Sequence, residues 1–199
     1  MSKLIITLTN TEFNTHGNEI YTIKPEELEL LRRAGAISKK SKRYTLTFNY
    51  RDFQLHCPLF EFRPGKTAVI WPSFKLPRRP YPCFIYLYAV TRYLSTKMSM
   101  RLVAEEVRKK FGLETFSHSS IARALKKFLQ KVSDHQECIM IMTQKSNEIE
   151  PVRRKNQDDS FHQKARALLK MLSPVLTQTI ISGCLLAYLF YNLTAQFIL

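Results

Sequence analysis

The run Ser117-His118-Ser119-Ser120 followed by Arg123, Lys126 and Lys127 holds the side chains best suited to chemistry with a polyanion. Small hydroxyls and an imidazole can donate or accept where base edges or phosphates lie. A guanidinium can hold two acceptors of one guanine, whereas ammonium groups suit phosphate oxygens. The spacing separates two faces. If Ile121, Leu125 and Phe128 point inward, at steps of four and three, then Ser119, Arg123, Lys126, Lys127 and Gln130 point out. A first turn built from Ser117 to Ser120 would also present free backbone N–H groups to an anion. Arg123 is the candidate for a bidentate guanine contact, with Lys126 and Lys127 on phosphates. Arg101, Arg108, Lys109 and Lys110, just upstream, are candidates for the flanking backbone.

Other chemistries lack their residues. The cysteines, Cys57, Cys83, Cys138 and Cys184, form no C-x-x-C pair, so neither a disulfide framework nor a complete zinc ribbon is expected. His56 and Cys57 offer two ligands where tetrahedral zinc takes four. The acids after Val132, Asp134, Glu137, Glu148, Glu150, Asp158 and Asp159, follow no strand pattern that would set a catalytic metal triad. Gly35, Gly65 and Gly112 stand alone, so no glycine-rich phosphate loop is present. The expectation is a non-catalytic protein with no cofactor and no bound metal.

The chain of 199 residues has a formal net charge of +15, and residues 32–132 hold 22 of its 31 Lys and Arg but 5 of its 16 Asp and Glu. Such clustering points to a polyanionic partner, either nucleic acid or an anionic membrane surface, and double-stranded DNA is the leading expectation once the helical pattern is added. The short 4–8 run is broken by Thr7 and is no signal peptide, which gives a cytoplasmic expectation.

The elements that must position these residues can be read from periodicity and breakers. Residues 4–8 suit an edge strand. Pro25, followed by Glu26 and Glu27, opens a short helix that stops near Gly35. Residues 38–43 read as a basic loop. Residues 44–50 alternate as a strand, 53–57 pairs with it, and 67–71 makes a third. Prolines from Pro58 to Pro82 exclude a long helix before Cys83. Packing of Phe48, Tyr50, Phe53, Phe60, Phe62 and Trp71 would shape this β-rich part. A first helix then carries Phe84, Leu87, Tyr88, Thr91 and Leu94 on one face. A second, capped by Ser99 and ended by Gly112, buries Val103, Ala104, Val107 and Phe111. A third, starting at Ser117, buries Ile121, Leu125, Phe128 and Val132. These make a helix-turn-helix candidate.

The fold expected is α+β: a β-rich, ribbon-like subdomain (1–82), a three-helix helix-turn-helix unit (83–142), a polar linker (143–160) and an apolar helical segment (161–199). From Met171 onward no residue is charged. The part that begins at Ile180 and ends at Leu199 has the length of a membrane anchor, with Lys164, Arg166 and Lys170 before it. Asn192 and Gln196 interrupt it, which favours one or two buried helices, packed on the helix-turn-helix or pairing in a homodimer, over a tail anchor.

The segment from Leu76 to Pro82, with Ser99 to Ala104, Phe111-Gly112-Leu113 and Phe116 to Ile121, resembles bacterial transposase-type proteins. In these a small cysteine-rich ribbon precedes a helix-turn-helix. The resemblance runs from Tyr44 to Val132 and implies DNA binding of mobile-element type. The chain departs from it at the ribbon, where Cys57-Pro58-Leu59-Phe60 places Phe60 at the second ligand position. The alternatives are a helical interaction protein whose basic face is incidental, and a tail-anchored protein whose basic block lies on anionic lipid.

Overall fold

A computed structural model describes residues 4–8, 14–23, 25–72 and 74–134. The Cys138 to Met142 run, the linker 143–160 and the apolar segment 161–199 lie outside the described residues. The architecture is α+β, a mixed sheet followed by helices. The sheet comprises β1 (Leu4–Leu8), β2 (Asn14–His16), β3 (Glu19–Tyr21), β4 (Ile37–Phe48), β5 (Arg51–Arg63) and β6 (Lys66–Pro72). A short helix, α1 (Pro25–Arg33), lies between β3 and β4, and α2 (Cys83–Ser95), α3 (Met100–Phe111) and α4 (His118–Asp134) follow the strands.

The long hairpin β4–β5 organises the sheet. Leu46 opposes Phe53 and Tyr44 opposes Leu55, so the apolar residues of both strands share the face toward the later helices. β4 occupies one edge of β5 along its length. On the other edge β3 pairs beside Leu55 and β6 beside Leu59, while β1 adds to β6 in parallel. The opposite face carries Phe60, Ile70 and Ala36, against which Ile23, Leu28 and Leu31 pack from the α1 region.

Three sequence readings change. Residues 38–43 are not a loop; they form the first half of β4, with a register shift between Lys39 and Lys42. Among the described residues this strand pairs with β5 alone. A lysine-rich edge discourages edge-to-edge association, which accounts for charge where a loop was expected. The strand ends at Phe48, and Asn49 and Tyr50, with φ of 54° and 55°, form the two-residue hairpin turn. Positive φ at both central positions matches the right-handed twist of the hairpin. Tyr50 is accordingly exposed rather than packed in the β-rich core. Finally, α2 has no single apolar face. Cys83 to Leu87, Ala89, Val90, Tyr93 and Leu94 are all buried, and Tyr88 and Thr91 are only partly so. A helix apolar on nearly every side belongs in the middle of a structure.

The central position of α2 unites the molecule. Ile20, Leu46, Phe53, Leu55, Val69 and Trp71 of the sheet join Phe84, Leu87 and Val90 of α2, Val103 and Val107 of α3, and Ile121, Leu125 and Phe128 of α4 in one core cluster. This cluster draws residues from both sides of residue 82.

Candidate nucleic-acid interface

The sequence separates the faces of α4 cleanly. Ile121, Ala124, Leu125, Phe128 and Leu129 are buried, while Ser119, Ala122, Arg123, Lys126, Lys127 and Gln130 form an exposed stripe at helical spacing. Its N-terminal turn is a hydroxyl cluster. The Ser117 Oγ lies 2.7 Å from that of Ser119 and 3.3 Å from that of Ser120, and the Ser120 N–H donates to the Ser117 carbonyl.

The preceding helix is held by local caps. The Leu102 N–H donates to the Ser99 hydroxyl at 3.3 Å, and Gly112 ends α3 in the left-handed region at φ 56°. Residues 112–117 then turn toward α4, with Leu113 and Phe116 buried as anchors. Arg108 donates from Nη1 to the Phe116 carbonyl at 3.1 Å, so one sequence-expected phosphate ligand also fixes this turn. Tyr81 reaches it from another side, donating to the Thr115 carbonyl and lying 2.9 Å from the Thr115 hydroxyl.

Between α4 and residues 77–81 runs an open groove of about 1190 Å³. Ser117, Ser120, Arg123, Lys126, Lys127 and Gln130 line it from α4 and its lead-in, and Arg108, Glu114, Thr115 and Phe116 also contribute to the lining. Pro77, Arg78, Arg79, Pro80 and Tyr81 form the opposite side. Six cationic side chains therefore face one carboxylate, Glu114. Arg79 stacks its guanidinium over the Tyr86 ring at 4.8 Å. Burial pushes the Tyr86 phenol up to about 12 against the pull of Arg79, so it is a neutral donor beside the groove at ordinary pH.

Of the residues expected from sequence, the groove gathers Arg108, Ser117, Ser120, Arg123, Lys126 and Lys127. Arg101, Lys109, Lys110, His118 and Ser119 are outside its lining. Lys110 instead places its ammonium 4.3 Å from the Tyr88 ring centroid. Tyr88 and Arg92 both donate to Glu106, at 2.6 and 2.9 Å. Burial raises the Glu106 pKa, but these donors outweigh it and hold the carboxyl below its usual range. That acid is thus neutralised within the helical layer. Arg123, exposed on this stripe, donates from Nε to the Ser119 carbonyl at 3.2 Å. Sequence reasoning missed Arg78 and Arg79. Their signal was the Pro-Arg-Arg-Pro string itself, a rigid turn presenting two guanidiniums.

His56 and Cys57 alternate on β5 and so face opposite sides of the sheet. Cys57 is a fully buried free thiol, pushed up to about 12 by burial, and His56 stacks on Tyr21 at 4.9 Å. Among the described residues no three His, Cys, Asp or Glu side chains gather as metal ligands do. Among the same residues no helix is long and apolar enough to cross a membrane. Comparison with protein-family models, curated proteins and solved structures finds no match for the chain.

Proposed function

We propose that the protein binds double-stranded DNA, without itself catalysing a reaction, by placing the exposed stripe of α4 against the major groove. One flanking phosphate strand runs between α4 and the Arg78-Arg79 turn. The observation that carries this is the convergence of Arg78, Arg79, Arg108, Arg123, Lys126 and Lys127 on one open groove. Two of the six come from a turn remote from α4 in sequence, so the cluster is a product of the fold rather than of one charged helix face. Phosphate neutralisation by such groups releases counterions and supplies most of the affinity. Arg123 supplies the base contact through its terminal nitrogens, and Ser119 is placed beside it on the same stripe. From the transposase-type resemblance this reading keeps the helix pair and a mobile-element setting, and leaves the metal ribbon aside.

The test is duplex binding followed across a salt series. The wild-type chain should bind with a steep negative salt slope. Arg78→Ala combined with Arg79→Ala should flatten that slope by about 1.8, and Lys126→Ala with Lys127→Ala by a similar amount, at about 0.9 per phosphate contact. Arg123→Ala should instead relax base preference, at a cost of about 1–3 kcal/mol at the preferred site. A wild-type protein that ignores duplex DNA, or charge variants that bind with unchanged slope, would overturn the reading.

A further inference from the structure

The turn that carries Arg78 and Arg79 is poor in backbone donors. Pro77 and Pro80 have no N–H, and the Arg79 N–H reaches the Leu76 carbonyl only at 3.4 Å. Arg78 sits at φ 56°, a left-handed conformation that a residue with a long side chain adopts only under constraint. Beneath the turn lies Lys75, 4% exposed, on the segment between β6 and α2. Its ammonium donates to the Leu76 carbonyl at 3.0 Å and to the Arg79 carbonyl at 2.5 Å, bridging the start and end of the turn. The base of this arrangement is fixed as well. The Lys75 N–H donates to the Pro72 carbonyl, the Cys83 N–H to that of Phe74, and the Thr47 N–H of β4 to that of Pro80.

We infer that Lys75 is a positioning residue of the phosphate groove: its buried ammonium closes the turn that presents Arg78 and Arg79, supplying the donors that Pro77 and Pro80 cannot. This rests on the duplex-binding reading for its purpose, but the clamp itself is a matter of turn geometry. Burying an ammonium is costly unless its hydrogen bonds are made. A lysine in so enclosed a place is therefore tied to the carbonyls it serves, and both belong to this one turn. The burial that disfavours its charge also holds its pKa below the usual lysine range. Lys75 touches no phosphate; it acts through the two arginines.

Two readouts on the full chain separate the clamp from its purpose. Trypsin does not cut before proline, so within the turn only the Arg78–Arg79 bond reports access. Cleavage there should be slowest in the wild type, faster in Lys75→Gln, which retains a neutral amide NH2 as donor, and fastest in Lys75→Met. Lys75→Gln carries the comparison if Lys75→Met does not fold. In duplex binding, Lys75→Gln should flatten the salt slope toward that of the Arg78→Ala/Arg79→Ala pair. Added to that pair, it should cause little further loss of affinity, because the groups it positions are already gone. A merely destabilising substitution would give no such non-additivity. Folded Lys75 variants with wild-type cleavage would overturn the clamp, and a loss that adds in full to the arginine pair would overturn the positioning role. Faster cleavage in a protein that binds no duplex would uphold the clamp and overturn the DNA reading.

Discussion

Cys57 and Lys75 are perturbed in opposite directions by the same cause. Each loses water on folding, which disfavours the charged form. Burial pushes the Cys57 thiol from 9.0 up to about 12 and holds Lys75 below 10.5. For Cys57 the folded chain keeps its proton where the unfolded chain has lost it. Its contribution to stability is complete below about pH 9 and falls as pH rises toward 12. Lys75 works the other way, since the unfolded chain holds the extra proton between the lowered folded value and 10.5. Tyr86 and Tyr88, both pushed up to about 12 by burial, add to the alkaline loss. A single variant isolates the thiol. Between pH 9 and 11, the melting temperature of Cys57→Ala should fall less steeply than that of the wild type. Parallel profiles would show that Cys57 keeps an ordinary pKa in the folded chain. The same burial leaves Cys57 a poor nucleophile.

Among the elements, the meeting of the β4–β5 turn with the end of α3 is the tightest junction. The Asn49 N–H donates to the Phe111 carbonyl and the Tyr50 N–H to the Gly112 carbonyl, both at 2.6 Å. The helix C-terminus thereby finds partners for carbonyls it cannot satisfy itself. A Cβ on Gly112 would stand 2.7 Å from the Tyr50 ring and 2.8 Å from the Asn49 Cα, at a backbone φ of 56°. Gly112→Ala should therefore cost more than the roughly 1 kcal/mol of an exposed left-handed glycine. Tyr50→Ala should restore only part of the loss, because the Asn49 backbone remains. Chemical denaturation of the two single variants and the double variant measures both effects. The cap at Ser99, the stop at Gly112 and the buried stripe of α4 were legible in the sequence, because each depends on residues within one or two turns. The Asn49-Tyr50 turn, the conversion of residues 38–43 into an edge strand and the all-round burial of α2 were not. Each of these meets a neighbour distant in sequence: the end of α3 at the Asn49-Tyr50 turn, the far half of β5 beside residues 38–43, and the sheet with α3 and α4 around α2. The candidate site divides the same way. Its α4 side could be read from periodicity, whereas the Arg78-Arg79 side required the turn to fold back across the groove.

At the scale of the whole molecule, the groove exists only while the sheet and the helices stay together, because one side hangs from the end of β6 and the other is α4. Both are tied to the same core. Trp71, the chain's one tryptophan, lies in β6 at 7% exposure, and Phe128 lies in α4 at 1%; both belong to the cluster centred on α2. Shared burial of this kind makes unfolding cooperative in a small domain. Phe128→Ala removes a fully buried ring, at a typical cost of about 3–5 kcal/mol. The thermal transition seen by Trp71 fluorescence should then fall by the same number of degrees as that seen by far-ultraviolet circular dichroism, although the substitution is in α4 and the fluorophore in the sheet. Lys126→Ala, on the exposed face of the same helix, should move neither by a comparable amount. If Phe128→Ala shifted the helical signal and left the Trp71 transition in place, the sheet and the helices would be independent units. The division at residue 82 would then be a true domain boundary. The groove between Arg79 and Lys126 would become a gap between two bodies, free to widen, and the affinity for duplex DNA would no longer track the stability of the core.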